Sequence, residues 1–333
     1  MSQYTCRICG NAAENVAYDH VREMLHGTRE TFDYFQCSVC GCLQIATISD
    51  DLARHYPSDY QAYKNYARKA QGKPRRFLDS RRVRYELTGK GLFGRLLTKL
   101  YPMPDYVHWC RRMGVGLDAK ILDVGCGNGR LLSRMLVGGF THLRGIDPFI
   151  QQDIVFDQNA IIYKRNLPDH VAMSEGKYDL VMLHHSFEHM DNPDQVLGWC
   201  SQLLADNGWL LIRVPLADSE AWKTYRTNWY ALDPPRHLYL HTSKSMRLLV
   251  ERCGLVVGME ERDSTESQFV YSELYTRNIA ANAPHSQRDI FSRLQIAQFV
   301  QKARRLNETG QGDQGVFYIR KVIRKDGQQT ASD

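Results

Sequence analysis

Ile121-Leu-Asp-Val-Gly-Cys-Gly-Asn-Gly-Arg130 is the most informative stretch of this 333-residue chain. Four residues of strand character run into three glycines spaced two apart, Gly125, Gly127 and Gly129. A helix-like run, Arg130-Leu-Leu-Ser-Arg-Met-Leu136, follows. A strand that enters a glycine turn and opens a helix brings backbone close to a ligand without side-chain interference. It also aims the free N–H groups of the helix start at that ligand. The dinucleotide fingerprint needs G-x-G-x-x-G. Here the glycines read G-x-G-x-G and Arg130 stands at the third dinucleotide position, which argues against a pyrophosphate ligand.

Asp123-Val-Gly-Cys-Gly-Asn-Gly129 resembles the first motif of class I S-adenosylmethionine (SAM)-dependent methyltransferases. Further segments resemble later motifs in the right order: Leu143-Arg-Gly-Ile-Asp-Pro148 the second strand, Tyr178 to Met190 the fourth strand and its loop, Gly208 to Pro215 the fifth. The resemblance implies an α/β fold, a Rossmann-like sheet with an antiparallel edge strand, here with a small N-terminal zinc-ribbon-like module. It implies that Gly125, Gly127 and Gly129 contact the methionine end of SAM and Asp147 the ribose hydroxyls. Asp123 orients the loop or reaches the amino group, Phe149 covers the adenine, Asn166 accepts from the adenine amine, and His184 stacks on the base.

Methyl transfer needs in-line placement and, for a hydroxyl acceptor, removal of a proton. The histidines gather at the carboxyl end of the fourth strand, the edge that faces the ligand crevice in open α/β sheets. His184-His-Ser-Phe-Glu-His-Met190 resembles the loop of a bacterial branch of the superfamily. By that match His185 or His189 is the expected base and Glu188 its orienting partner. Asp233-Pro-Pro-Arg-His237 resembles a second segment of the same branch. Arg236 and His237 then border the acceptor, with His237 as a buried loop staple the alternative. Tyr230 and its neighbours Trp222, Tyr225 and Trp229 either stack on the acceptor or belong to the core.

Cys6-Arg-Ile-Cys9 and Cys37-Ser-Val-Cys40 are two C-x-x-C hooks, each followed by glycine. Four thiolates on tight turns suit a closed tetrahedral Zn²⁺ site, structural because it keeps no open position. Between the hooks, Thr31 to Tyr34 alternates like half a hairpin. Residues 64–84 hold nine Lys or Arg against one Asp, Arg75 and Arg76 among them. This is either a solvated helix face or an electropositive wall for an anionic acceptor.

The organisation reads as a zinc module (1–48), a basic helical linker or lid (49–118), the catalytic core (119–260), and a C-terminal helix with edge strand (261–325) before a disordered tail (326–333). The absence of an apolar h-region or a run of about 18–20 apolar residues points to a cytoplasmic protein without a membrane span. The expected activity is SAM-dependent O-methylation of a sugar, glycan or secondary-metabolite precursor, the acceptor being anionic, as a sugar carried on a diphosphate is. A C-methyltransferase on a nucleotide-linked sugar is the alternative. A zinc-containing RNA methyltransferase or nucleic-acid binder is disfavoured by a net charge of only +6.

Overall fold

The computed structural model describes residues 4–56, 73–101, 103–173, 176–284 and 287–322. The N-terminal strands are β1 (Val16–Arg22), β2 (Thr31–Gln36) and β3 (Leu43–Ile45). Helices α1 (Lys73–Thr88), α2 (Leu92–Leu100) and α3 (Asp105–Met113) lead to β4 (Lys120–Val124), α4 (Arg130–Gly138) and β5 (His142–Ile146). Next come β6 (Ile154–Asp157), β7 (Ala160–Tyr163), α5 (Leu167–Met173), β8 (Tyr178–His184), α6 (Pro193–Leu203) and β9 (Leu204–Pro215). The remainder is α7 (Glu220–Tyr225), β10 (Tyr239–Leu240), α8 (Ser243–Arg252), β11 (Leu255–Arg262), α9 (Ser267–Thr276), α10 (Gln287–Ile290), α11 (Arg293–Glu308) and β12 (Gln314–Lys321).

The central sheet has the order β11-β12-β9-β8-β4-β5-β7-β6. β4 pairs in parallel with β5 on one side and β8 on the other. Chain order reverses there, so the carboxyl end of β4 is the switch point where such sheets bind ligands. The glycine loop leaves β4 at that point. One part of the sequence expectation needs correction. β12 is antiparallel to both β9 and β11, so it lies inside the sheet and β11 takes the edge. The expected stop of α6 at Asn207-Gly208 also shifts, since the helix ends at Leu203 and both residues lie within β9. Thr242 caps α8 through a capping box, and Gly254, at φ 70°, follows its end.

β1, β2 and β3 form an antiparallel sheet whose fourth strand is β10, contributed from far along the chain. Cys6, Tyr34, Phe35 and Leu43 belong to one continuous buried apolar cluster with Leu122, Val181, Leu210 and Trp229. The N-terminal module therefore shares a core with the central sheet instead of enclosing its own. The opposite face of the sheet is covered by α3 and α4, through Val107, Trp109, Leu132 and Met135. No described helix is long and apolar enough to cross a membrane.

Candidate active site and cysteine cluster

The glycine loop is shaped by backbone that other residues rarely adopt. Gly125, Gly127 and Gly129 have φ of 74°, 52° and 73°. A Cβ on Gly125 would sit 2.6 Å from Ser186 Cβ, and one on Gly129 2.0 Å from Ile162 Cδ1. Ser186 Oγ donates to Val124 O at 2.7 Å, which ties the loop after β8 to the end of β4. Asp147 is buried and accepts from Gly127 N and Phe149 N, both at 2.9 Å. Asp123 is buried beside it, and its Oδ1 has no hydrogen-bond partner among the described residues. Burial first, then the Asp147 charge, push the Asp123 carboxyl up to about 8. A buried acidic pair under a glycine turn suits a ligand that brings an ammonium and hydroxyls, as the amino-acid end and ribose of SAM do.

Phe149 is 60% exposed and stacks on Tyr56, with ring centroids 5.9 Å apart. The Tyr56 hydroxyl lies 3.1 Å from His189 Nδ1. Tyr56 thus joins the donor rim to the histidine loop, a role hidden in a segment that reads as linker. His189 stands over His237, ring centroids 4.7 Å apart. The Nδ1–H of His189 donates to Arg236 O at 2.9 Å and that of His237 to Ala231 O at 2.7 Å. A carbonyl only accepts, so each proton is on Nδ1 and each Nε2 carries a lone pair. Burial, reinforced by His237, lowers His189 to about 4.

Other expected residues are placed differently. His185, at φ 54°, has both ring nitrogens engaged: Arg213 donates to Nε2, and Nδ1–H donates to Glu188 Oε1 at 3.4 Å. Arg213 is itself held by Asp263 at 2.6 Å. Both ring nitrogens of His185 are thus taken up by Arg213 and Glu188. Burial, then Arg213, lowers its pKa well below the usual imidazole value. The ring of His184 packs against Trp109 of α3 at 5.1 Å, which takes it away from the stacking role expected of it. Asn166 Oδ1 accepts from Asp169 N at 2.8 Å, so the carbonyl meant for adenine caps the start of α5.

Arg236 is not displayed to an acceptor. It is 1% exposed and bound to Glu23 at 2.8 Å and to Asp233. Burial alone would raise both carboxyls, but the Arg236 guanidinium holds them below the usual range. Trp222 and Trp229 are core residues, with indole N–H groups on Gln36 and Asp313. Tyr230 is half-buried between Gln314 and Tyr271. Arg76 is exposed on α1, and the Arg75 side chain lies outside the described residues, as do residues 57–72 of the basic segment. Arg82 is buried against Asp79. Arg81 and Arg84 line a groove with Lys90 and Phe93. Arg84 also lines a cavity of about 970 Å³ with Asp118, Asp179 and Asn207, at the amino ends of the strands. That is the end away from the glycine loop, so these arginines form no wall beside it.

The four hook sulfurs lie within 4.8 Å of one another, with Cys6–Cys40 at 3.6 Å and Cys9–Cys37 at 3.5 Å. Sulfurs bound tetrahedrally at about 2.3 Å are about 3.8 Å apart, so the cluster fits a small zinc-binding module. Gly10 N and Gly41 N close the two turns onto Cys6 O and Cys37 O. Cys42 is buried nearby, outside the cluster.

A family model described as a methyltransferase domain matches residues 54–258. Among curated relatives, the ubiquinone biosynthesis O-methyltransferase of Histophilus somni is 28% identical over 131 residues, 36% of this chain and 55% of that protein. The Escherichia coli O139:H28 protein of the same name is 28% identical over 118 residues, 33% and 49% respectively. The chain thus spans about half the length of the curated relatives it matches. A SAM-dependent methyltransferase from Archaeoglobus fulgidus superposes with TM-score 0.40 at 18% identity, covering 68% of this chain and 97% of that one. With the matched region running from the segment before Tyr56 through the whole parallel sheet, this chain belongs to the methyltransferase domain family.

Proposed function

We propose that the enzyme methylates a hydroxyl oxygen of a small polyhydroxylated acceptor, a sugar or glycan precursor. Gly125, Gly127 and Gly129 hold the methionine end of SAM, Asp123 its ammonium and Asp147 its ribose, while Phe149 covers the adenine. The observation that carries the acceptor half is the pair of imidazole lone pairs, His189 Nε2 and His237 Nε2, just beyond the Phe149–Tyr56 rim. A polar lining of this kind suits a hydroxylated acceptor better than an apolar one. That the curated relatives are named O-methyltransferases supports oxygen as the atom methylated. In the transfer the O–CH₃ bond forms as the CH₃–S bond breaks, its electron pair going to sulfur, and S-adenosylhomocysteine leaves. The hydroxyl proton is lost to solvent on the side that His189 and His237 line. Zn²⁺ on Cys6, Cys9, Cys37 and Cys40 is structural, and in an anionic acceptor the charge falls to Arg76 and residues 64–75, since Arg236 is spent elsewhere.

Labelled SAM offered with a panel of nucleotide sugars, free sugars and phenols, with mass and NMR analysis of the product, tests this. An O-methyl sugar is expected, and His189→Ala should lower kcat roughly 10²–10⁴-fold. A methyl group found on carbon or nitrogen would overturn the reading.

A further inference from the structure

Glu188, His189 and His237 converge where two loops meet. Glu188 and His189 lie in the turn after β8, and His237 lies two residues before β10. Leu238 N donates to Glu188 O at 2.8 Å, and the Tyr34 hydroxyl donates to His237 O at 2.9 Å, so both loops are fixed to each other and to β2. One ligand atom from each of the three side chains lies within 4.8 Å of the other two. His237 Nε2 is 3.9 Å from Glu188 Oε1.

The chemistry of the three is that of a ligand set. A metal-ligating histidine commonly donates its other ring N–H to a carbonyl or carboxylate, which fixes the tautomer and aims the lone pair. Both histidines do this through Nδ1. Glu188 is 0% exposed, and its Oε2 has no hydrogen-bond partner among the described residues. A buried carboxylate oxygen without a donor is costly unless a cation or donor meets it. Atoms bound to one ion at about 2.0–2.2 Å are about 3–4 Å apart, so modest side-chain rotation closes the set. Two imidazoles and one carboxylate on one side of an ion leave other positions open.

We propose that Glu188, His189 and His237 bind a divalent first-row transition-metal ion, separate from the cysteine cluster. Its open positions face the acceptor, and a hydroxyl of the acceptor takes one of them. The ion lowers the hydroxyl pKa, so the proton is released to solvent before the methyl group moves. The imidazoles are then ligands and no longer bases. This catalytic role rests on the O-methylation reading, whereas the site itself does not.

The test uses full-length protein with zinc at the cysteines, titrated with Co²⁺ in the absence of acceptor and followed by visible absorption. Wild type should bind one Co²⁺ per chain with d–d bands and no thiolate charge-transfer band. His189→Ala and His237→Ala should each weaken binding at least tenfold while the thermal midpoint stays near wild type. The proposal is overturned if wild type binds no Co²⁺, if only a thiolate spectrum develops, or if both variants bind as wild type does. S-adenosylhomocysteine binding is read in the same samples by calorimetry. Its failure would count against the donor assignment and leave the cobalt result standing.

Discussion

Replacing Arg236 with Ala strands two acidic side chains, Glu23 at 1% and Asp233 at 10% side-chain exposure. Removing one partner from a buried ion pair typically costs about 3–5 kcal/mol. For a chain of this size each kcal/mol shifts the thermal midpoint by about 2 °C, so a drop of roughly 6–10 °C is expected. The sign of the pH dependence follows from the same contacts. In wild type the guanidinium holds both carboxyls low, so their contribution is present above the unfolded carboxylate range and is lost as pH falls through the lowered values. In the variant the guanidinium no longer offsets burial, leaving the His26 and Thr28 amides at Glu23 and the His237 ring near Asp233, so both pKa values rise relative to wild type and the gap widens between pH 5 and pH 8. Urea unfolding at both values, with acceptor kinetics alongside, measures this. Adding Glu23→Gln and Asp233→Asn to the variant should recover part of the loss. A midpoint within about 1 kcal/mol of wild type at pH 8, together with a raised KM for a charged acceptor, would refute the reasoning and return Arg236 to substrate binding.

Gly125→Ala places a Cβ 2.6 Å from Ser186 Cβ at a φ of 74°, so calorimetry should show SAM binding weakened at least about tenfold, given about 1–2 kcal/mol for the backbone alone. Cys37→Ser should lower the unfolding midpoint of the whole chain in one transition, because the module shares the catalytic core; a separate early transition with the main one unmoved would contradict this. Asp123 binds a proton in the fold up to about pH 8 that it releases on unfolding above about pH 4, so it costs the SAM-free protein stability as pH rises through that window. Wild type should therefore lose a few kcal/mol relative to Asp123→Asn between pH 5 and pH 8, and parallel stability curves would count against it.

The donor half of the site was legible because backbone demands leave residue-level marks. Three glycines at positive φ and an acid at the next strand end can be read in order from the chain. The hooks were legible for a similar reason, since ligand type and spacing are local. The acceptor half depends on partners distant in sequence. Glu23 and Arg236 are 213 residues apart, so a conspicuous arginine on a proline turn looked available when it was already paired. Asn166 shows another limit: a side-chain carbonyl that accepts from a ligand and one that caps a helix come from the same residue type. The place of β12 was missed because strand periodicity reveals faces, not neighbours. Tyr56 stands out in the sequence only as the first of four clustered tyrosines, and it is the folded chain that brings it between Phe149 and His189.

The β3–β10 pairing has a bearing on how such enzymes are recombined. Strand β10 continues directly from the loop that carries His237, and Tyr34 and Glu23 of the first forty residues hold that loop in place. The N-terminal strands are therefore a clamp on the His237 loop, although they lie outside the region the family model matches. An exchange of the N-terminal segment alone between two such enzymes would pair one protein's clamp with another's loop. An exchange that is to keep the loop in place has to move the two as one inherited unit.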